Sequence, residues 1–390
     1  IYAGGRGGNL ATEISTELPE TKAETLKGYA IVHGDSNLII TGSTTGSGNI
    51  KITGGIYGAG QGVPEVTEPG RIDVILYAAV TGNTSINISN ANVNNVYGGG
   101  QLSMLGWYYD NDDQSIHGAT NEDVNKNYRH YTGTDTKIII NKSNVSGSVY
   151  GGGMGTTANA ISGAVGESTV IIMGGSKVSG DVYGGGNYAV VSNKLVVDRT
   201  PDDKTRAIYP KIASSDNISK AIVVILEATI GSDSRSNTGN VFGGGYGPRA
   251  VVAGSTYVFI GISSGNSDYP LDQEIRTGTY TATIKGSVYG GGNMGSVGFI
   301  AYLEGSDNED SFPDKYEPLT NVSSNVILSL NDNKSNFITV SGDVYGGGKG
   351  GDLYIPNIDS PTTDKPTDWV EGTTGRTLYG YAVVHGKSNV

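Results

Sequence analysis

Val149–Gly153 reads VYGGG, and this pentapeptide of an aliphatic residue, an aromatic residue and small residues recurs along the chain. The intervals between successive aromatic residues vary from 33 to 59 residues. A motif that returns at intervals of tens of residues indicates a repeat architecture. We number the repeats 1 to 8 by their aromatic residues, which are Tyr2, Tyr57, Tyr97, Tyr150, Tyr183, Phe242, Tyr289 and Tyr345.

The residues before each motif also recur, first as a β-branched run and then as a second short apolar segment. Runs of four to six Val, Ile and Thr residues bounded by Gly, Ser, Asn and Asp are typical of strands, and no helical period competes with them. The sequence therefore predicts an all-β parallel β-helix, or β-solenoid, in which each turn pairs with its neighbours. The clearest runs are Lys137–Ile140, Thr169–Ile172, Ala221–Leu226, Tyr257–Ile260 and Asn325–Leu330.

The unequal intervals are explained by insertions of variable length into a repeat core of constant length. These stretches contain most of the Pro, Asp and charged residues, and insertions in a solenoid commonly map to one face. We therefore expect the loop insertions to leave at one corner, directly after GGG. They are Gln101–Thr136, Asn187–Lys220, Gly295–Asn321 and Lys349–Thr377.

Each position of the motif has a physical interpretation. In a strand, the Val or Ile points into the interior and the aromatic ring that follows points the opposite way. Equivalent rings in successive turns then form an outward-facing ladder, with phenol oxygens able to reach water or a partner. The glycines are expected to supply positive φ angles and close backbone approach at a tight corner. A phosphate-binding loop is disfavoured, because neither a helix pattern nor GKS or GKT follows GGG.

Composition excludes several classes of protein. The chain has 390 residues with 62 Gly, 24 Tyr and no Cys, so it has no disulfides, thiolate metal sites or cysteine nucleophile. Its net charge of −12 argues against nucleic acid as a partner. No run of 18 apolar residues is present to predict a membrane span in this window.

A longer period lies above the short one. VYGGGKGGDL at Val344–Leu353 matches IYAGGRGGNL at Ile1–Leu10, and YAVVHGKSNV at Tyr381–Val390 matches YAIVHGDSNL at Tyr29–Leu38. The offsets are 343 and 352 residues, so the loop between the matched segments differs in length. We predict that residues 1–390 form one continuous β-solenoid, a fragment of a longer tandem-repeat protein whose long period is about 345–350 residues.

The VYGGG corners, β-branched rungs and turns rich in Asn, Ser and Thr resemble the large adhesin-like repeat proteins of bacterial and archaeal cell surfaces. Those proteins are predicted or known to form parallel β-helices. The resemblance covers the whole chain but rests on architecture and composition. It implies an exported, elongated protein that holds cells to surfaces, to each other or in a matrix. No family site residue carries over, because such proteins share a scaffold and not a catalytic motif.

Two of the insertions contain candidate ligand-binding residues. Closely spaced carboxylates could bind Ca²⁺, the one cofactor that the sequence suggests, but they match no EF-hand loop and solvated loops remain the alternative. Exposed aromatic residues beside Asp and Asn could bind a glycan, or could form a small core of their own. The calcium candidates are Asp110, Asp112, Asp113, Asp307, Glu309 and Asp310, and the glycan candidates are Trp107, Tyr108 and Tyr109.

An enzyme that degrades polysaccharides is the less favoured hypothesis. Such chemistry needs paired carboxylates, or Ca²⁺ and a basic residue, on one face. The basic residues are scattered, and no insertion joins Arg, Lys and Asp in a compact set. We therefore expect no catalytic activity. We expect an extracellular stalk or filament of a cell-surface adhesin, with further repeats or copies of itself end to end as partners. A module that binds glycans or a host surface is the alternative.

Overall fold

A computed structural model shows an all-β protein with thirty strands, numbered β1–β30 in chain order, and no α-helix among the residues that it describes. The described residues are 1–6, 8–12, 24–28, 30–43, 50–62, 78–110, 128–155, 163–198, 210–212, 219–234, 238–248, 250–261, 267–270, 281–298, 322–329, 337–356, 375–380, 382–384 and 386–390.

The longest strands form an eight-stranded parallel sheet, which we call the long-strand sheet, with its strands in chain order. These strands contain the predicted β-branched runs apart from Leu226, which follows β19, and Leu330, which lies outside the described residues. They are β3 (Ser36–Thr41), β6 (Thr84–Ser89), β11 (Thr136–Asn141), β14 (Ser168–Met173), β19 (Lys220–Ile225), β22 (Ser255–Gly261), β25 (Ser323–Ser329) and β30 (Lys387–Asn389).

A second parallel sheet, the middle sheet, has seven strands, which are again neighbours in chain order. Each of them follows a long strand of the same repeat, as the sequence predicted for the second short segment. The strands are β4 (Ile50–Lys51), β7 (Ala91–Val93), β12 (Asn144–Val145), β15 (Ser176–Val178), β20 (Ala228–Ile230), β23 (Thr281–Ile284) and β26 (Phe337–Val340).

The third parallel sheet, the aromatic sheet, consists of the first two residues of the pentapeptide in seven repeats. Tyr2 of repeat 1 extends it by a single parallel bridge to Tyr57. Its strands are β5 (Ile56–Tyr57), β8 (Val96–Tyr97), β13 (Val149–Tyr150), β16 (Val182–Tyr183), β21 (Val241–Phe242), β24 (Val288–Tyr289) and β27 (Val344–Tyr345).

One face of all three sheets contributes to a common apolar core. In β11, Ile138 and Ile140 are fully buried, whereas Lys137 is exposed and Ile139 is half-buried, which is the period of two expected of a strand. Val145 of the middle sheet and Val149 of the aromatic sheet belong to the same buried cluster. Identical positions of successive repeats pair in every sheet, so aliphatic residues stack on aliphatic residues along the core.

After the pentapeptide, two single-residue ladders continue the register from repeat to repeat. The first contains the residue that follows GGG, such as Gln61 paired with Gln101. The second contains aliphatic residues, such as Val165 paired with Val191, and these residues form a second buried cluster. Three parallel sheets and two ladders, all in chain order, are consistent with a parallel β-helix.

The prediction of a single insertion corner is wrong. Gln101–Leu105 remain in register after GGG of repeat 3, and the insertion begins only after the second ladder. Residues 262–280 instead separate the long strand from the middle strand of their repeat. The chain has several corners at which a loop can leave without breaking a ladder, because each sheet needs only its own register.

Insertions also pair with one another. The strands β9 (Gly106–Asp110) and β10 (Tyr128–Gly133) follow repeat 3, and β17 (Lys194–Asp198) and β18 (Pro210–Ile212) follow repeat 5. They form one antiparallel sheet in the order β18-β17-β10-β9, joined between the two insertions by β10 and β17.

Two further antiparallel strand pairs lie in the segments that match over the long period. The strand β1 (Gly8–Thr12) pairs with β2 (Glu24–Gly28), and β28 (Gly351–Pro356) pairs with β29 (Gly375–Gly380). Gly8 lies opposite Gly28, and the matching residue Gly351 lies opposite Gly380. The two matched segments therefore have the same antiparallel register, and their difference in length lies between the paired strands.

We expect Ile138→Ala to lower the free energy of unfolding by about 2–5 kcal/mol, because it removes a fully buried side chain and leaves a cavity. Lys137→Ala, one residue away on the exposed face, should change it by less than about 0.5 kcal/mol. Urea denaturation followed by circular dichroism would measure both. Equal effects of the two substitutions would contradict the assigned inner and outer faces.

Candidate functional site

The eight aromatic residues of the pentapeptides form one continuous stack. All seven successive pairs have ring centroids 4.8–4.9 Å apart and interplanar angles of 1–11°. This distance equals the spacing of hydrogen-bonded strands, about 4.8 Å. The predicted aromatic ladder is confirmed. Stacked rings contribute about 0.5–1.5 kcal/mol per pair beyond the area that they bury.

The prediction that the ladder faces water is wrong for its central part. Tyr97 is 4% exposed, Tyr183 is 2% exposed and Phe242 is fully buried, whereas only Tyr345 at the last repeat is widely exposed. The rings point away from the core, as predicted, but other residues of the chain cover them. The stack is therefore a second buried layer.

The cover comes from the residue that follows GGG, two repeats further along the chain. In three cases that side chain forms a hydrogen bond with the phenol oxygen of the earlier repeat, so the contact links repeats that are not neighbours. The hydrogen-bonded pairs are Tyr2–Gln101, Tyr57–Met154 at 3.6 Å and Tyr183–Asn293 at 3.4 Å.

The glycines of the motif are needed for close approach. A Cβ atom on Gly151 would lie 2.1 Å from the carbonyl oxygen of Gly184, and one on Gly185 would lie 2.6 Å from the nitrogen of Gly245. None of the described motif glycines has a positive φ, so the predicted left-handed geometry is wrong. The backbones of successive corners are too close for any side chain, and that is the reason for GGG.

A column of hydroxyl groups joins the long-strand sheet to the glycine corner. Near the start of the long strand, a buried Ser or Thr donates a hydrogen bond to the carbonyl oxygen of the first motif glycine in its own repeat. This bond satisfies a polar group inside the core. The pairs are Thr84–Gly98 at 2.7 Å, Thr136–Gly151 at 2.6 Å, Ser168–Gly184 at 2.6 Å and Thr256–Gly290 at 2.6 Å.

A second polar column, of Asn, Ser and Asp side chains, lies just before the aromatic sheet. The side-chain oxygen of each residue accepts a hydrogen bond from the backbone N–H of its equivalent in the next repeat. These bonds have a direction, since every repeat donates to the one before it. The sequential pairs are Asn95–Ser148 at 2.8 Å, Ser148–Asp181 at 3.1 Å, Asp181–Asn240 at 2.8 Å, Asn240–Ser287 at 3.0 Å and Ser287–Asp343 at 3.0 Å.

The described residues also contain a compact charged cluster on the outer side of the long-strand sheet. Lys220 Nζ lies 2.6 Å from Asp268 Oδ1, and Asn193 donates a hydrogen bond to Glu167 at 3.4 Å. Burial, and then the charge of Asp135, raise the pKa of the Glu167 carboxyl. Sequence reasoning missed this cluster, because its members come from different repeats and become neighbours only through strand register.

The sequence-predicted ligand residues stay untested. Asp112, Asp113, Asp307, Glu309 and Asp310 lie outside the described residues. Asp110 and Trp107–Tyr109 lie in β9, where the backbone of Trp107 is opposite Thr132 and that of Tyr109 is opposite His130. In the part of the chain that the structure describes, no group of three or more His, Asp or Glu side chains is arranged to hold a metal ion.

Comparisons of the chain with protein-family models, curated proteins and solved structures gave no significant match. Within the described ranges, no helix is long and apolar enough to cross a membrane. The geometry of the stacked corner is thus the basis for any functional conclusion.

We expect Gly185→Ala to destabilise the protein by about 1–3 kcal/mol, since its Cβ would force the backbones of repeats 5 and 6 apart. Gly347→Ala provides a matched control, because it changes the same motif position in repeat 8, where nothing lies within 4 Å of the added carbon. Thermal unfolding would compare the two variants. Similar losses in both would show that close approach is not the role of these glycines.

The phenols of the aromatic ladder should ionise at a higher pH than solvent-exposed tyrosines. Burial raises the pKa of Tyr57, Tyr150 and Tyr183 above the usual value of about 10, and that of Tyr188 to about 12. A raised pKa in the folded state gives stability that is complete below pH ~10 and is lost as pH rises through the folded-state pKa.

In a spectrophotometric titration at 295 nm, the ladder phenols should therefore ionise only together with unfolding. The urea-unfolded chain, as the control, should ionise in one transition near pH 10. Complete ionisation of the folded chain near that pH, with its circular dichroism unchanged, would contradict a buried stack.

Proposed function

We propose that the chain is an extracellular structural protein that forms the stalk or filament of a cell-surface adhesin. The observation that carries this proposal is the unbroken register of the aromatic stack over eight repeats. Its seven steps of about 4.8 Å give a straight column of about 34 Å. A column whose side chains repeat along one direction suits a rod that transmits force or spans distance.

In this proposal the three parallel sheets close into one β-solenoid that continues through residues 1–390. Its buried polar side chains form hydrogen bonds that hold the repeats in register. Thr136 and Ser168 bond to corner carbonyl groups, and Asp181 accepts the backbone N–H groups of Gly239 and Asn240. A chain that commits its buried polar groups to stacking fits a scaffold better than an enzyme, so we propose a role without catalysis.

The exposed apolar residues at the two ends of the parallel sheets support assembly along the rod. In the described residues, the large apolar side chains that are exposed lie on the outermost repeats at the two ends of the sheets. An exposed sheet edge with apolar residues is a template for another strand. We propose that further rungs cover these edges, contributed by more repeats of the same chain or by a second copy. The side chains are Ile1, Ile39 and Ile50 at one end, and Leu328, Phe337, Tyr345 and Val390 at the other.

A module that binds glycans or a host protein is the second candidate. The observation in its favour is the antiparallel sheet formed by the insertions of repeats 3 and 5, which carries Trp107, Tyr108 and Tyr109 in the strand at its edge, β9. On a glycan array, Trp107→Ala should weaken any binding by the intact chain. Lack of binding by the unsubstituted chain would remove this candidate.

We expect the purified chain to form unbranched rods that lengthen with protein concentration in negative-stain electron microscopy. Leu328 and Ile50 continue the buried columns of Ile260 and Ala91 at the two ends of the core. Leu328→Asp and Ile50→Asp each place a charge at one of these ends and should shorten the rods, because a buried carboxylate at the junction is unfavourable. Thr229→Asp, on the outer side of the middle sheet in repeat 6, is the control and should leave their length unchanged. Compact particles at every concentration would contradict axial assembly.

A further inference from the structure

The ion pair between Lys220 and Asp268 joins two separate parts of the fold. Lys220 begins β19 of the long-strand sheet, whereas Asp268 belongs to the segment that follows β22. Tyr269, the residue after Asp268, holds that segment against the outer side of the sheet. The ring of Tyr269 is 5% exposed, meets Phe259 edge-on at 5.1 Å, and donates a hydrogen bond to the carbonyl oxygen of Gly261 at 3.1 Å.

The surroundings of this ion pair are partly apolar. Ile222, Val224 and Phe259 form a buried cluster with Tyr269, beside the residues of the pair. The side chains of Lys220 and Asp268 are 35% and 21% exposed, so they are partly withdrawn from water. The Nζ atom is 2.6 Å from the carboxylate oxygen, so it already lies close to the carboxyl carbon.

A third titratable group lies next to the pair. Glu167 directly precedes β14, and Ser168 pairs with Ala221, so Glu167 lies level with Lys220 one strand away. Tyr257 faces the same site and also responds to Asp268 and Lys220. Burial raises the pKa of the Glu167 carboxyl, and a carboxyl group beside the pair can accept and return a proton.

We propose that Lys220 and Asp268 react to form an isopeptide bond, with Glu167 as the group that transfers protons. Nζ, after giving up a proton, attacks the Cγ atom of Asp268. The new C–N bond forms, one C–O bond breaks, and the oxygen leaves as water with two of the ammonium protons. An ammonium and a carboxylate thus become an amide and one water molecule, so the step needs no oxidant, reductant or other reactant.

The hydrogen bond to Asp268 raises the pKa of Lys220, so the ammonium is the resting form and a proton acceptor is required. Glu167 in its ionised form can take that proton and then return it to the departing hydroxyl. The product removes two charges from the edge of an apolar cluster and links the segment containing Asp268 covalently to β19. Such a bond would keep this segment on the sheet when the rod is pulled or heated.

A second ion pair of the chain, which is more exposed to water, provides a control for the effect of burial. Lys285 and Asp233 form an ion pair of nearly the same length, 2.7 Å, but the side chain of Asp233 is 94% exposed. Water solvates that carboxylate and competes with the amine for it, whereas Asp268 is partly withdrawn from water. We expect this second pair to remain an ion pair in the folded chain.

Mass spectrometry of the intact, purified chain tests the proposal directly. The expected mass is lower than that of the sequence by one water molecule, and proteolysis should release a branched peptide that joins Lys220 to Asp268. Tandem mass spectrometry separates this product from a cyclised aspartate, which also loses water but leaves the peptides unbranched. A chain of full mass, or a loss of water without the branched peptide, would overturn the proposal.

Variants then test the individual roles. Lys220→Arg and Asp268→Ala should each restore the full mass, whereas Lys285→Ala should retain the loss of water. Glu167→Gln keeps the size of the side chain and its hydrogen bond with Asn193, and it should yield the unlinked chain with an unchanged circular dichroism spectrum. A fully linked Glu167→Gln chain would contradict the role of Glu167, and linkage between Lys285 and Asp233 would contradict the role of burial.

Discussion

The stacking distance shared by strands and aromatic rings is the constraint on which the rest of the fold depends. Parallel strands repeat at about 4.8 Å, and that step places the Tyr97 and Tyr150 rings at a favourable stacking distance, with planes nearly parallel. Because one step satisfies both interactions, neither has to be distorted for the other. Every repeat can then be added with the same geometry, whatever the length of its insertion.

The polar columns turn this common spacing into a unique register. A slip of one residue would move the apolar residues of a strand to the opposite face. It would also separate donors such as Thr136 from the carbonyl of Gly151, and the Asp181 carboxylate from the N–H of Asn240. Each lost bond leaves a buried polar group without a partner, which costs about 1–3 kcal/mol. The columns therefore specify which residues meet, while the apolar core supplies most of the stabilisation.

The glycine corner and its cover explain how a ladder that points away from the core becomes buried. Gly151 and Gly184 allow successive corners to touch, so the chain turns tightly and brings the next side chain back over the rings. That side chain reaches a phenol two repeats earlier, as Asn293 reaches Tyr183. Contacts between repeats that are not neighbours make the stack more cooperative than one with only nearest-neighbour interfaces.

The sequence by itself determined the strands, their order and the aromatic stack, because period-two runs such as Thr169–Ile172 and the repeated pentapeptide are local signals. It also predicted the long period, and the matched residues Gly8 and Gly351 begin strand pairs of the same register. Only the tertiary structure decided the cover over the rings, the corners at which insertions leave, and the cluster of Glu167, Lys220 and Asp268. These features depend on which residues become neighbours in space. Because the insertions differ in length, the separation of two residues along the chain does not show whether they are neighbours in the fold.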